Sequence, residues 1–129
     1  MQALLALTYF EAGEQKEPSA IHKKLFEQFF GRDIIFDKDN HFETAFGHLE
    51  GYGSRYYCYM WSKVFALDMF DRVKNSGASG SGLLNPEMGK EYIGKVIGKG
   101  GSVDPELLIE NFLGRKPTMD AFLKDLGLV

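Results

Sequence analysis

Two dipeptides, Asn85-Pro86 and Asp104-Pro105, each open a run of helical period that closes on a glycine. An Asn or Asp at the N-cap accepts hydrogen bonds from the first free backbone N–H groups. A proline just inside loses nothing, because the N–H it lacks has no partner there. This punctuation predicts the helix PEMGKEYIGKVI, ending at Gly98, and the helix PELLIENFL, closed by Gly114. A last helix, Pro117 to Leu126, is closed by Gly127. Upstream, Pro18 opens PSAIHKKLFEQFFG, with Ile21, Leu25, Phe26, Phe29 and Phe30 as its apolar stripe and Gly31 in the position after the last turn. His22 is offset from that stripe and is read as solvent-facing. Gln2 to Ala12 is a short helix ended by Gly13, and no N-cap residue precedes Ala3, which points to a fragment. Ile34 to Phe36 is an extended connector. Asn40 and Glu43 form a capping-box variant that opens NHFETAFGHL. A long helix from about Ser54 to Lys74 is apolar nearly all round at Val64, Phe65, Leu67, Met69 and Phe70, so its middle is expected to be buried. No run alternates with period two. The expectation is an all-α chain of about six or seven helices, one helical segment over 1–129, with SGASGSG at 76–82 as a flexible linker or insertion.

The bulk chemistry narrows the function classes. A net charge of −3 supports neither a nucleic-acid footprint nor an anionic-membrane one. Cys58 is alone, so no internal disulfide and no multi-cysteine zinc site exists, which fits a reducing compartment. MQALLALTYF has no basic flank and no small-residue cleavage site after it, unlike a secretory signal. No stretch approaches the roughly 18 apolar residues of a membrane helix.

Several motifs look chemical and fail on spacing. A calcium loop starting at Asp37 needs glycine sixth and glutamate twelfth, where Phe42 and His48 stand. A hydrolytic zinc site needs two histidines one turn apart, and none are. His41 and His48 are seven residues apart, a rise of about 10 Å on a helix, too far for one ion. Ser54 has no G-x-S-x-G elbow around it, and Cys58 between two tyrosines is a packed thiol. VIGKGG at 96–101 imitates the GXXG loop of a KH module, yet no strands flank it and Asp104-Pro105 interrupts the helix that should follow.

The stretch FGHLEGYGSRYYCYMW, Phe46 to Trp61, is different. It packs one histidine, three glycines, four tyrosines and a tryptophan into sixteen residues. Glycine lets backbone approach a ligand closely, and a phenol offers a donor and an acceptor on an apolar body. Such a loop suits gripping an extended peptide; it equally suits a helix corner whose tyrosines fill a core. HLEGYGSRYYCYMWS resembles the thimet oligopeptidase family of zinc peptidases, and its GYG form is most similar to the mitochondrial intermediate peptidase branch. LFEQFFG and the closing stretch YIGKVIGKGGSVDPELLIENFLGRKPTMDAFLKDLGL, with its FLGR-x-P, resemble the same family.

The resemblance implies the C-terminal part of a larger helical zincin-type oligopeptidase that hydrolyses short peptides. It implies zinc held by an HExxH helix and a later glutamate in the remainder of that peptidase, with no metal ligand in this chain. It implies that Tyr59 and Tyr56 face the developing oxyanion or the substrate, and that His48, Gly51, Tyr52 and Gly53 bind the peptide. A cytoplasmic or mitochondrial location follows by branch, without nucleic-acid or membrane partners. The alternative is a free-standing, non-catalytic helical module that binds a peptide or protein.

Overall fold

The computed structural model describes residues 1–13, 16–31, 34–77 and 82–129. They form eight α-helices and three 3₁₀ turns, with no strand among the described residues. The helices are α1 Gln2–Phe10, α2 Pro18–Phe30, α3 Phe42–Ala45, α4 His48–Tyr52, α5 Cys58–Lys74, α6 Pro86–Lys95, α7 Pro105–Leu113 and α8 Asp120–Asp125. The chain divides into two compact units, Met1–Tyr59 and Met60–Val129. Of the linker read at 76–82, residues 78–81 lie outside the described residues.

In the first unit, Leu5 and Ala6 of α1, Leu25 of α2 and Phe46 form the buried core, with Tyr9, Ile21, Phe42, Leu49 and Tyr56 packed around it. His22 is not solvent-facing: it is 3% exposed, edge-on to Phe36 at 5.2 Å between centroids and tilted against Phe42 at 5.2 Å. The reason is its register. Residues 22, 25, 26 and 29 share a helical face, and the connector brings Phe36 back over it. The capping box also gives way. His41 stands at the N-cap of α3 without a side-chain cap bond. Glu43 instead accepts from Ser19 Oγ at 2.6 Å, tying α3 to α2. Asp37–Asn40 is a turn in which Asp39 N–H donates to Asp37 Oδ1 at 3.0 Å. NHFETAFGHL is two short helices, because Phe46 leaves helical geometry (φ −87°, ψ 69°) as its ring enters the core at 5% exposure.

Burial holds the His22 imidazole below its usual pKa, with the Glu43 charge acting weakly in the other direction. A lowered histidine stabilises nothing extra when both states are neutral. Stability is therefore highest above the unfolded pKa, near 6.5, and is lost as pH falls from there toward the lower folded value, because the unfolded chain takes up a proton that the buried ring resists. Thermal unfolding should show a lower melting temperature at pH 5.5 than at pH 7.5, and His22→Phe should flatten that difference. An unchanged pH dependence in the variant would contradict the assignment.

In the second unit the sequence punctuation holds. Asn85 Oδ1 accepts from Glu87 and Met88 N–H at 3.1 and 3.3 Å, and Asp104 Oδ1 accepts from Glu106 N–H at 2.8 Å. Gly114, at φ +73°, closes α7 in the left-handed conformation that glycine adopts without Cβ strain. Leu108, Phe112, Leu113 and Phe122 are buried, as are Val64 and Asp68 of α5. Arg72 grips Glu91 with Nη2 at 2.9 and 3.0 Å while its guanidinium lies 4.5 Å from the centre of the Phe112 ring.

Asp68, only 2% exposed, accepts from Arg115 Nη1 at 2.8 Å and Nη2 at 2.5 Å, and from Thr118 N–H at 2.8 Å. The last helix is shorter than its sequence suggests. Regular structure begins at Asp120 instead of Pro117, after a segment in which the Thr118 N–H is held by Asp68 and its hydroxyl donates to Asp120 at 3.0 Å. Helix α6 likewise stops at Lys95, and Ile97–Lys99 forms a separate 3₁₀ turn. The expected long helix begins at Cys58, not Ser54. Nor is its middle buried all round: only Val64 and Asp68 are inside, and Phe70 is 49% exposed.

Candidate functional site

The residues singled out in the glycine–tyrosine stretch come together in the first unit. Gly47 precedes α4, and His48 is its first residue. The helix lasts five residues because Gly53 takes φ +34°, a conformation strained for any other residue, and redirects the chain into the 3₁₀ turn Gly53–Arg55. A Cβ at Gly53 would sit 3.5 Å from the Phe10 ring, so the turn is laid against α1. That turn returns the backbone to His48. The Tyr56 ring lies edge-on to the imidazole at 5.1 Å, Tyr59 edge-on at 5.9 Å, and Tyr52 tilted at 5.9 Å.

The two tyrosines expected to face substrate differ in their hydroxyls. Tyr56 is half-buried, packed edge-to-face on Phe46 at 4.9 Å, and its hydroxyl donates to Gln2 Oε1 at 3.1 Å. Tyr59 is 53% exposed, and its hydroxyl lies 3.3 Å from His48 Nε2. The two phenol rings meet edge-on at 5.0 Å, so Tyr56 fixes the wall against which Tyr59 stands. Tyr52 is also 53% exposed. Gly51 has open space where a Cβ would be, and with Ala45, Gly47, His48, Glu50 and Tyr52 it lines an open recess of about 670 Å³. The arrangement is chemically simple: the hydroxyl of an exposed tyrosine held beside an imidazole that lines a recess with Gly47 and Gly51. It can donate and accept hydrogen bonds along an extended polar chain.

The fit to a metal is poor. Among the described residues no group of three His, Cys, Asp or Glu side chains could hold an ion. The three histidines are engaged separately: His22 is packed among phenylalanines, His41 Nδ1 lies 3.3 Å from Glu43, and His48 faces Tyr59. No reaction step through a metal can be built from these side chains.

Some of the residues that hold each unit together carry no sequence signal of their own. Gln2 holds the Tyr56 hydroxyl from 54 positions away, and nothing local marks it. Asp68 and Arg115, 47 apart, explain why an arginine stands in FLGR-x-P: it supplies the partner of a buried carboxylate. The VIGKGG stretch is a surface turn, with Gly100 at φ +51°.

The description "Peptidase family M3" belongs to the family whose model matches residues 1–128. Oligopeptidase A of Escherichia coli is 36% identical over 89 residues, covering 67% of this chain and 12% of its own length. Saccharolysin of Saccharomyces cerevisiae is 40% identical over 86 residues, covering 65% of this chain and 11% of its own length. Mitochondrial intermediate peptidase of Pongo abelii is 28% identical over 115 residues, 82% of this chain and 14% of its own length. The chain thus spans 12% of the length of the first of these relatives. With a family match over residues 1–128, this chain belongs to peptidase family M3.

Proposed function

We propose that this chain is the substrate-side segment of a zinc-dependent oligopeptidase, acting on short peptides, whose metal is held by an HExxH helix elsewhere in the complete polypeptide. The observation that carries the reading is the Tyr59 side chain: half-exposed, its hydroxyl 3.3 Å from Nε2 of His48, which itself lines the open recess with Gly47 and Gly51. Peptide hydrolysis puts negative charge on the carbonyl oxygen only as the tetrahedral intermediate forms. A neutral O–H aimed at that oxygen strengthens its bond as the charge grows, which lowers the barrier without tightening substrate binding. With a proton on His48 Nε2, the imidazole donates to the phenolic oxygen and leaves the Tyr59 proton free to point at substrate. His48 is thus a positioning residue for Tyr59 as well as a contact for the peptide backbone.

Tyr52 and the bare edge of Gly51 receive the extended chain, and Gly53 sets the turn that carries them. Tyr56, with its proton on Gln2, presents ring edge and oxygen lone pairs to the substrate rather than its hydroxyl proton. The location is cytoplasmic or mitochondrial; among the described residues no helix is long and apolar enough to cross a membrane.

The complete peptidase should cleave an internally quenched short peptide, lose that activity in a chelator and regain it with zinc, while the 129-residue chain alone stays inactive. Chelator-sensitive cleavage by the 129-residue chain alone would overturn this reading. A complete polypeptide that binds the peptide and leaves it intact would favour a binding module instead.

A further inference from the structure

The recess beside the glycine loop carries a charge that the proposed chemistry does not use. Glu50 supplies the only carboxylate among its described lining residues, and no lysine or arginine is among them. Glu50 is exposed, and among the described residues it enters no ion pair. Other carboxylates of the first unit are occupied: Glu43 accepts from Ser19 Oγ, and Glu11 stands 3.3 Å from Lys16 Nζ. Tyr52, 53% exposed, lines the same recess, and Gly51 has open space where a Cβ would be. A long side chain therefore meets no obstruction at Gly51.

A carboxylate and an aromatic ring at one recess suit a cation on a flexible stem. The carboxylate accepts charge-assisted N–H bonds, and the face of the ring attracts the same positive charge. A free ion in water would gain little from so open a site. A cation carried on a peptide is different, because the bound backbone already holds it beside the carboxylate. His48 ties the recess to the chemistry: it lines the recess, and its Nε2 lies 3.3 Å from the Tyr59 hydroxyl. A side chain seated there belongs to a residue near the scissile bond. We infer that the recess selects a basic side chain, Arg or Lys, of the peptide substrate, and that Glu50 sets this preference.

This rests on the oligopeptidase reading but fails separately from it. The test gives the complete peptidase internally quenched peptides, blocked at the amino terminus, that carry Arg, Gln or Glu in turn at each position. At one position Arg should raise kcat/KM over Gln by about threefold to tenfold, and Glu should lower it. The gain should lie in KM, because the contact is the same before and at the transition state, and it should shrink in high salt. Glu50→Gln should remove the preference for Arg, and Glu50→Lys should turn it toward Glu. Glu27→Gln takes the same charge from an exposed position of α2 and should keep the parent ratio. No preference at any position, or one that survives Glu50→Gln, overturns the proposal. A preference for a free amino terminus without one for Arg would assign the cation to the terminus and overturn it too. Cleavage of every peptide at one rate removes only the recess. If the complete polypeptide cleaves none of them, the oligopeptidase reading fails and fluorescence anisotropy with the labelled Arg and Gln peptides decides the recess: their Kd values should differ by the same factor, and equal values overturn it.

Discussion

Tyr59→Phe in the complete peptidase is expected to lower kcat by about a hundredfold to a thousandfold and leave KM nearly unchanged, the signature of one lost oxyanion donor. The substitution removes a single oxygen. The ring keeps its edge contacts with Tyr56 and His48, at 5.0 and 5.9 Å, so the wall of the site should remain in place. Only the interaction that grows with the negative charge is deleted, and the loss should therefore fall on turnover. Tyr57→Phe, at an exposed neighbour outside the His48 cluster, supplies the control: its steady-state kinetics should match the parent enzyme. A rise in KM with kcat intact would make Tyr59 a general binding contact and would remove the catalytic role argued for it.

The largest effect on stability is expected at Asp68. Its carboxylate is 2% exposed and holds three donors: both terminal nitrogens of Arg115 and the Thr118 N–H. Taking away one member of a buried pair commonly costs about 3–5 kcal/mol, because the partner left behind has lost its compensation. The Arg115 side chain is 49% exposed and water can reclaim part of it, so Asp68→Ala should fall lower, at about 2–4 kcal/mol. Trp61 is the only tryptophan of the chain and stands two turns earlier on α5, which makes its fluorescence in urea the natural readout. Acid gives a second check. The Arg115 hydrogen bonds, against an opposing effect of burial and with help from the Thr118 N–H, hold the Asp68 carboxyl below its usual range. The resulting stability is present above the unfolded carboxyl pKa and is lost as pH falls through the lower folded value. Asp68→Asn should lack that acid limb. A variant as stable as the parent at pH 7 would show the latch to be ornamental.

How much of this was legible beforehand depends on how far each cause lies along the chain. The caps at Asn85 and Asp104 were readable because donor, acceptor and proline all fall within a few residues. The left-handed close at Gly114 was readable for the same reason. What failed was decided at a distance. Asn40 with Glu43 satisfies the local capping pattern, but Ser19, 24 positions earlier, takes the carboxylate. His22 looked free until Phe36 folded over it. Helix α8 starts late, at Asp120, after a segment whose Thr118 N–H is held by Asp68, 50 residues upstream.

The site itself was legible only through family resemblance. Composition alone left the tyrosines as plausible core. The meeting of His48 with Tyr59 depends on the reversal at Gly53, whose angle no period or propensity reveals. The structure adds a distinction that the motif does not carry: the Tyr56 hydroxyl is committed to Gln2, and that of Tyr59 stands at the surface beside His48.

The most direct test of the account is the inhibition constant of a phosphinic pseudopeptide, whose tetrahedral oxygens mimic the intermediate, against the complete peptidase and its Tyr59→Phe variant. If Tyr59 donates to the developing oxyanion, the variant should bind the mimic more weakly by about the factor that kcat/KM loses, while KM for the matching peptide stays put. Equal inhibition of the two enzymes would contradict the claim, and Tyr59 would then be a wall of the channel and nothing more.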